Sequence, residues 1–423
     1  TLQALKNTSY VDLGSGHGII RSNMLSSKRL VVLCSLATSA ITARAEGPDS
    51  PAKYSKMRGA LVGALVADSL ALATHYEYDA KKIRRFYGSI DRYYAPGEKT
   101  GGQTHGVGWG ARNFHDGNGH GPAKRAGENT DYGDYNLLVA EHLASTADRP
   151  RPLSVEEIIP RWQKALEEGW RSWICTMTKT TYQQVRQGVP VAQLGGMSNA
   201  MALRHAGALA YYAGEEDLAR AARSAMFTHR ERSALDGGEF FARVAFRVVH
   251  LGLTPREAIE QVAAAPSTSA FVRDKVRQAV AKVTEATDPA SALSKEGFAD
   301  DLALTSMARL WDVGKSEPIK VGKASPTEGT LPGAVYFILR YENATSTDGR
   351  PNALIAAAQA NAEVGGDSAS RAVAIGSVLG AHEGLEGIPP ELGQGNLVEW
   401  DRAMALLDRM PLLRAQGRKG DEF

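Results

Sequence analysis

The stretch RGALVGALVADSLALATHYEYD, residues 58–79, predicts a buried helix at the start of the folded part of the chain. Gly59 and Gly63 are four residues apart, so they lie on one face of this helix. Asp68 interrupts the apolar run. An unpaired buried carboxylate is costly, so we expect Asp68 to be bonded to another group unless it lies on a polar edge of the helix.

Helix patterns continue through the rest of the chain, and strand patterns do not recur. Ser154 with Glu157, and Thr254 with Glu257, have the spacing of helix N-terminal capping boxes. Apolar residues three and four apart predict further helices. These cover residues 201–213, 217–226, 270–285, 299–312, 333–341, 352–362 and 397–409. The sequence therefore predicts an all-α fold, with one domain over residues 54–413.

Composition excludes several classes of protein. The 423 residues carry a formal net charge of +2, with 43% hydrophobic and 23% charged residues, as in ordinary soluble proteins. There is no long basic run with interleaved aromatic residues, so we expect no nucleic-acid partner. Cys34 and Cys175 are the only cysteines in the sequence, which excludes a disulfide framework and a cysteine-rich zinc site.

The N-terminal region has the pattern of a secretory signal. From Met24, a basic pair precedes an apolar run and a small-residue cleavage motif that ends at Ala45. Residues 24–45 are therefore predicted to direct secretion or entry into another non-cytosolic compartment, with plastid targeting as the alternative. Residues 1–23 read as an over-extended, disordered N-terminus, and residues 414–423 as a tail. No mature membrane span is expected.

Two distant stretches combine acids and hydroxyls at predicted helix starts. In AGENTDYGDYNLLVAEHLA, residues 126–144, a helix begins near Thr130, Asp131 and Asp134. A helix N-terminus favours acids by itself, so capping explains part of this pattern. Hard oxygen ligands of this kind also suit magnesium.

The second stretch is EVGGDSASRAVAIGSVLGAHEGLEGIPP, residues 363–390. Gly365 and Gly366 allow a close approach of the backbone, and Asp367 and Ser370 then open another helix. Together the two turns are what a magnesium-type site built from a helical bundle requires.

These motifs resemble those of the ADP-ribosylglycohydrolase family over about residues 56–410. The resemblance includes the opening helix and the Thr130-Asp131 turn. It also includes SNAMALRHAGALAYYAG (198–214) and MFTHRERSALDGGEFFARV (226–244). It implies an orthogonal all-α bundle with a central cleft for two magnesium ions and ADP-ribose. Members of the family remove ADP-ribose from arginine or serine side chains, or cut related bonds.

The chain departs from the family at the metal-binding motifs. The family usually has Thr-Asp-Asp at the first turn, whereas this chain has Tyr132 after Asp131. The family usually has Asp-(Ser/Thr)-Asp at the last turn, whereas this chain has Ala369. An acidic residue of the family is replaced by His75, although Glu77 is nearby. Two lost carboxylates disfavour two magnesium ions, so we expect one ion or none.

From the residues and the resemblance we predict a hydrolase of an ADP-ribosyl or related C–N or C–O glycosidic bond. The alternatives are an inactive or metal-independent ADP-ribose or nucleotide-binding protein, or an enzyme with another substrate. A small molecule or an ADP-ribosylated protein is the expected substrate, and a monomer is expected. The predicted catalytic residues are Asp131, Asp134 and Asp367. The predicted substrate contacts are His75, Glu77, Tyr132, Tyr135, Asn199, His229, Gly365, Gly366 and Ser368. The predicted ligands of a single magnesium ion are Thr130, Asp131, Asp367 and Ser370.

Overall fold

A computed structural model of the chain describes residues 50–100, 117–295, 299–307 and 323–414. The predictions for the N-terminal signal and for the tail lie outside the described residues. Within these ranges there are helices and isolated β-bridges but no strands, and no helix is long and apolar enough to cross a membrane. The all-α prediction is confirmed.

The α-helices are named here in chain order. They are α1 (Pro51–Ala71), α2 (Ala80–Tyr87), α3 (Asp131–Ser145), α4 (Val155–Glu168), α5 (Thr176–Arg186), α6 (Glu215–Ala225), α7 (Arg232–His250), α8 (Pro255–Ala264), α9 (Ala270–Thr287), α10 (Ala292–Lys295), α11 (Ala299–Met307), α12 (Thr327–Tyr341), α13 (Ala353–Val364), α14 (Ser368–Glu383) and α15 (Trp400–Leu407). Short 3₁₀ helices cover Val191–Gln193, Ala206–Ala210 and Leu385–Gly387.

Segment 201–213 differs from its prediction, because it holds only a 3₁₀ turn at Ala206–Ala210. The side chain of Asn136 in α3 accounts for part of the difference. Its Nδ2 donates to Leu203 O at 2.9 Å, and its Oδ1 accepts from Ala206 N at 3.1 Å. These bonds satisfy backbone groups that an α-helix would pair internally. The apolar periodicity of this segment therefore results from the burial of its side chains and does not indicate an α-helix.

Helix α1 is the centre of the fold and packs along α14. A Cβ on Gly63 would lie 2.6 Å from Gly376 O and 2.9 Å from the Cα of Gly380, so the two backbones are in direct contact. Because Asp367 is the N-cap of α14, this packing also sets the distance between two parts of the site.

Gly63→Ala is expected to lower the free energy of unfolding by about 1–3 kcal/mol, because the added methyl group must separate α1 from α14. Urea unfolding measures the change. Gly169→Ala is the matched control, since a Cβ there meets nothing within 4 Å. Equal stability of the two variants would show that the close helix contact contributes nothing.

Candidate active site

Asp68 joins α1 to the start of α3. Its fully buried carboxylate accepts from Thr130 N at 2.7 Å and from Thr130 Oγ1 at 2.6 Å. Asn129 Nδ2 adds a third bond at 3.1 Å. Burial nevertheless raises the pKa of Asp68 to about 6, against the lowering effect of these hydrogen bonds. The buried carboxylate of Asp68 therefore has hydrogen-bond partners. Its two bonds to Thr130 position the N-terminus of α3.

Asp367 caps α14 and accepts hydrogen bonds at both carboxylate oxygens. Oδ1 accepts from His75 Nε2 and from Ser370 N, each at 3.2 Å, and Oδ2 accepts from Tyr132 OH at 3.1 Å. Burial alone would raise its pKa, but the hydrogen bond and charge of His75 bring it below the ordinary value. Asp367 is thus a carboxylate surrounded by side chains of the protein itself.

Backbone contacts hold the turn after α1 against the turn before α14. Gly366 N donates to Glu77 O, and Tyr76 N donates to Gly366 O, both at 2.6 Å. Gly365 and Gly366 have φ values of 72° and 69°, and Tyr76 has φ 67°, which is uncommon for a residue with a side chain. The Tyr76 ring stacks on His75 with centroids 4.0 Å apart.

A cavity of about 260 Å³ lies between the starts of α3 and α5. Its lining includes Tyr76, Asp131, Tyr132, Trp173, Arg204 and His229. Tyr76 and Trp173 were not among the residues predicted for the site. Nothing in the periodicity around them distinguishes them from core aromatic residues, and the left-handed backbone at Tyr76 has no signal in the sequence.

Asp131 is the acid of the cavity. The residue is half-buried, but its Oδ1 is shielded from solvent and has no hydrogen-bond partner among the described residues. Burial, and then the negative charges of Asp68 and Asp367, hold the pKa of Asp131 well above its usual range. These causes favour the protonated carboxylic acid, which is the form that donates a proton.

His229 lines the same cavity as a neutral side chain. Its pKa is lowered to about 3 by burial and then by the charge of Arg204. Arg204 Nη2 donates to Thr228 Oγ1 at 2.7 Å, so the Thr228 hydroxyl can donate its own hydrogen to His229 Nδ1, 2.9 Å away. We assign the Nε2–H tautomer from this network, which makes His229 a hydrogen-bond donor.

Other predicted site residues lie outside the cavity lining. Asp134 pairs with Lys124 Nζ at 2.7 Å and accepts from Ser172 Oγ at 2.6 Å. Glu77 pairs with Lys82 Nζ at 2.6 Å. The acids Asp131, Asp134 and Asp367 therefore do not converge on the cavity.

Two further predicted contacts, Asn199 and Tyr135, bond to neighbouring elements, whereas Ser368 does not. Asn199 Nδ2 donates to Glu328 Oε2 at 2.9 Å. Tyr135 lines the cavity, but its hydroxyl bonds to Trp162 Nε1 at 2.9 Å and to Thr178 Oγ1 at 3.2 Å. Ser368 Oγ is buried and has no partner among the described residues.

The oxygen atoms predicted for magnesium differ in how far they are engaged in hydrogen bonds. Thr130 Oγ1 donates to Asp68, and Ser370 Oγ donates to Met201 O at 3.3 Å. Both oxygens of Asp367 accept bonds. Among the described residues no group of three or more His, Cys, Asp or Glu side chains could hold a metal ion. Magnesium requires near-octahedral oxygen ligation, and this donor set does not fit it.

Comparison with known families agrees with the helical fold. The family model of ADP-ribosylglycohydrolase matches residues 49–421, so the chain belongs to the ADP-ribosylglycohydrolase family. Membership supports a hydrolase-like function on this fold. A solved structure described as an ADP-ribosylglycohydrolase-related protein complex is similar in fold, with a TM-score of 0.52 and 19% identity. The match covers 85% of this chain and 98% of that one. A search of curated proteins found no match.

Proposed function

We propose that the protein hydrolyses the glycosidic bond of an ADP-ribosyl compound without a divalent ion, with Asp131 as the proton donor. The observation that supports this most directly is the position of Asp131, which lines the cavity and whose buried Oδ1 has no hydrogen-bond partner among the described residues. Burial also raises the pKa of this carboxyl group. Its proton would pass to the leaving nitrogen or oxygen as the bond to the anomeric carbon breaks. Water would then add to that carbon and give up one proton to the Asp131 carboxylate, which restores the acid.

The local environment supports metal-independent action. The places of two family carboxylates are taken by Tyr132, which bonds to Asp367, and by Ala369, which has no ligand atom. Since both oxygens of Asp367 accept hydrogen bonds from side chains or backbone of the protein, we propose that neither one nor two magnesium ions are resident. No step of the proposed reaction passes through a metal.

Binding without turnover is a second candidate function. Most glycosidases use two carboxyl groups, and here Asp134 and Asp367 are both held by other side chains. If Asp131 alone is insufficient for catalysis, the cavity would still recognise a sugar-sized group.

One experiment separates the two functions. ADP-ribose would be titrated calorimetrically into the protein with magnesium and again with EDTA. Release of ADP-ribose from arginine-linked and serine-linked peptides would then be followed by mass spectrometry under both conditions. We expect binding and release that EDTA does not change. Binding without release supports the second candidate, and a requirement for magnesium contradicts metal-independent action.

A further inference from the structure

A second cavity, of about 640 Å³, lies between α4 and α5. Helix α5 contributes Lys179, Tyr182, Gln183, Arg186 and Gln187 to its lining. Residues with this spacing lie on one face of a helix, and such a face usually packs against another element. Four of these five residues are exposed, so this face of α5 borders an open groove, which is named here the α4–α5 groove.

The floor of the α4–α5 groove is apolar and attached to the core. Leu166 is buried, and Ile174 and Tyr182 are half-buried. The Tyr182 ring meets the fully buried Trp162 edge to face, with centroids 6.3 Å apart, and its hydroxyl donates to Glu167 Oε1 at 2.5 Å. The groove is therefore formed without a ligand, and it can remove an apolar side chain of a partner from water.

Two cations border this apolar floor. Lys179 and Arg186 are exposed and lie two helical turns apart, about 10 Å along the axis of α5. Neither forms an ion pair with a carboxylate among the described residues. Glu167 is the acid in the lining, and it already accepts the hydroxyl of Tyr182. The groove therefore has an excess of positive charge, which favours an acidic partner.

The α4–α5 groove is next to the cavity that holds Asp131. Trp173 lines that cavity, and Lys179 lines the groove. The Lys179 ammonium lies over the Trp173 ring, 5.5 Å from its centroid, so the cavity and the groove meet at this contact. The cavity of about 260 Å³ encloses only a small group, and a ligand that extends out of it past Trp173 enters the groove.

We propose that the α4–α5 groove binds an acidic segment of a protein substrate, next to the side chain that carries the sugar. This proposal rests on the proposed function for the origin of the segment, since the sugar would occupy the cavity with Asp131. An apolar side chain of the segment would contact Leu166 and Tyr182, and two carboxylates would pair with Lys179 and Arg186. In an extended chain, residues three positions apart span about 10 Å, which matches the separation of the two cations. The substrate class is therefore an ADP-ribosylated protein with acidic residues near the modified side chain.

Fluorescence polarisation with an unmodified peptide tests the groove by itself. The probe is a labelled peptide with two glutamates three residues apart and a leucine between them. Replacing both glutamates with lysine should weaken binding at least about tenfold, because attraction to the two cations becomes repulsion. Replacing the leucine with serine should also weaken binding, because the apolar floor loses its contact. No binding of the glutamate peptide, or equal binding of the lysine peptide, would overturn the proposal.

Charge reversal tests the two cations without changing the core. Lys179→Glu/Arg186→Glu alters exposed side chains, and this variant should prefer the lysine peptide, the reverse of the preference of the unaltered protein. The matched control is Lys81→Glu/Arg85→Glu in α2, which makes the same change in net charge at exposed positions outside the groove. The control should keep the preference for glutamate. If both double variants behave alike, net charge rather than the groove selects the peptide, and the proposal is wrong.

With a modified substrate, the groove should affect KM. For a glutamate-containing peptide with one ADP-ribosylated arginine, we expect Lys179→Glu/Arg186→Glu to raise KM at least about tenfold and to leave kcat unchanged, because the two cations lie outside the site of bond cleavage. For ADP-ribosylated arginine without a peptide, kcat/KM should be the same in the variant and the unaltered protein. A loss with the free compound as large as with the peptide would contradict a separate peptide site.

Failure of the groove and failure of the proposed function give different results. If ADP-ribosyl peptides are cleaved but charge reversal leaves peptide binding and KM unchanged, the hydrolase stands and the role of the groove is wrong. If the unmodified glutamate peptide binds and charge reversal switches the preference, but no ADP-ribosyl peptide is cleaved, the groove stands as a site for acidic peptides and the proposed hydrolysis is wrong.

Discussion

Asp131→Asn is expected to lower kcat for ADP-ribosyl peptide hydrolysis by about 10²–10⁴-fold, the usual contribution of general acid catalysis. Asparagine keeps the size of the side chain but has no acidic proton. Binding of ADP-ribose should change little, because the loss concerns proton transfer to the leaving group. Single-turnover rates together with calorimetric affinities measure the two effects separately.

The pH profile gives an independent test of the same residue. A general acid acts in its protonated form, so activity is lost as pH rises through its pKa. Because the pKa of Asp131 is held well above its usual range, we expect activity to persist above the pH at which an ordinary aspartic acid ionises. The alkaline decrease should disappear from the residual rate of Asp131→Asn. A profile unchanged by the substitution would show that another group supplies the proton.

Two comparison variants test whether the loss of kcat is specific to Asp131. Asp217→Asn, in the first turn of α6, removes an exposed carboxylate that pairs with Arg220 and should leave kcat as in the unaltered protein. Asp134→Asn removes an acid one turn from Asp131 that is held by Lys124 and Ser172. A loss with Asp134→Asn as large as with Asp131→Asn would contradict assignment of the proton to Asp131 alone.

The sequence predicted the helical class well because burial and capping are local signals. The Thr254 capping box is present as predicted. The direction in which each acidic side chain points could not be predicted in this way. Asp131 and Asp134 share one helical turn, yet Asp134 is turned away by Lys124 and Ser172, which lie outside α3. The orientation of each side chain depends on contacts with residues of other elements, and sequence periodicity does not encode those contacts.

The replacement of the family carboxylates was visible in the sequence, but its physical result was not. Tyr132 and His75 were predicted to contact the substrate. In the structure, Tyr132 and His75 bond to opposite oxygens of Asp367, and their rings meet edge to face at 6.0 Å. Side chains of the protein therefore satisfy the carboxylate that the resemblance assigns to a metal.

Restoring the two carboxylates should produce a divalent-cation site. The double variant Tyr132→Asp/Ala369→Asp removes the phenol that bonds to Asp367 and adds two acidic side chains at the starts of α3 and α14. Without metal, we expect lower thermal stability than the unaltered protein, because position 369 is fully buried and the added charges repel. Magnesium or manganese should raise Tm by several degrees, since ligand at 100 times its Kd stabilises by about 2.7 kcal/mol.

Thermal unfolding with metal and with EDTA, and manganese binding followed by electron paramagnetic resonance, measure this gain. The matched control is Tyr132→Asn/Ala369→Asn, which has the same shape but lacks the two charges that hold a divalent ion. We expect neither the control nor the unaltered protein to respond to metal. If the unaltered protein responds as strongly as the aspartate variant, the engaged donors around Asp367 rearrange to bind metal, and the proposed metal-independent reaction is wrong. If the aspartate and asparagine double variants respond alike to metal, the two missing carboxylates do not explain why the unaltered protein lacks the metal response expected of the family.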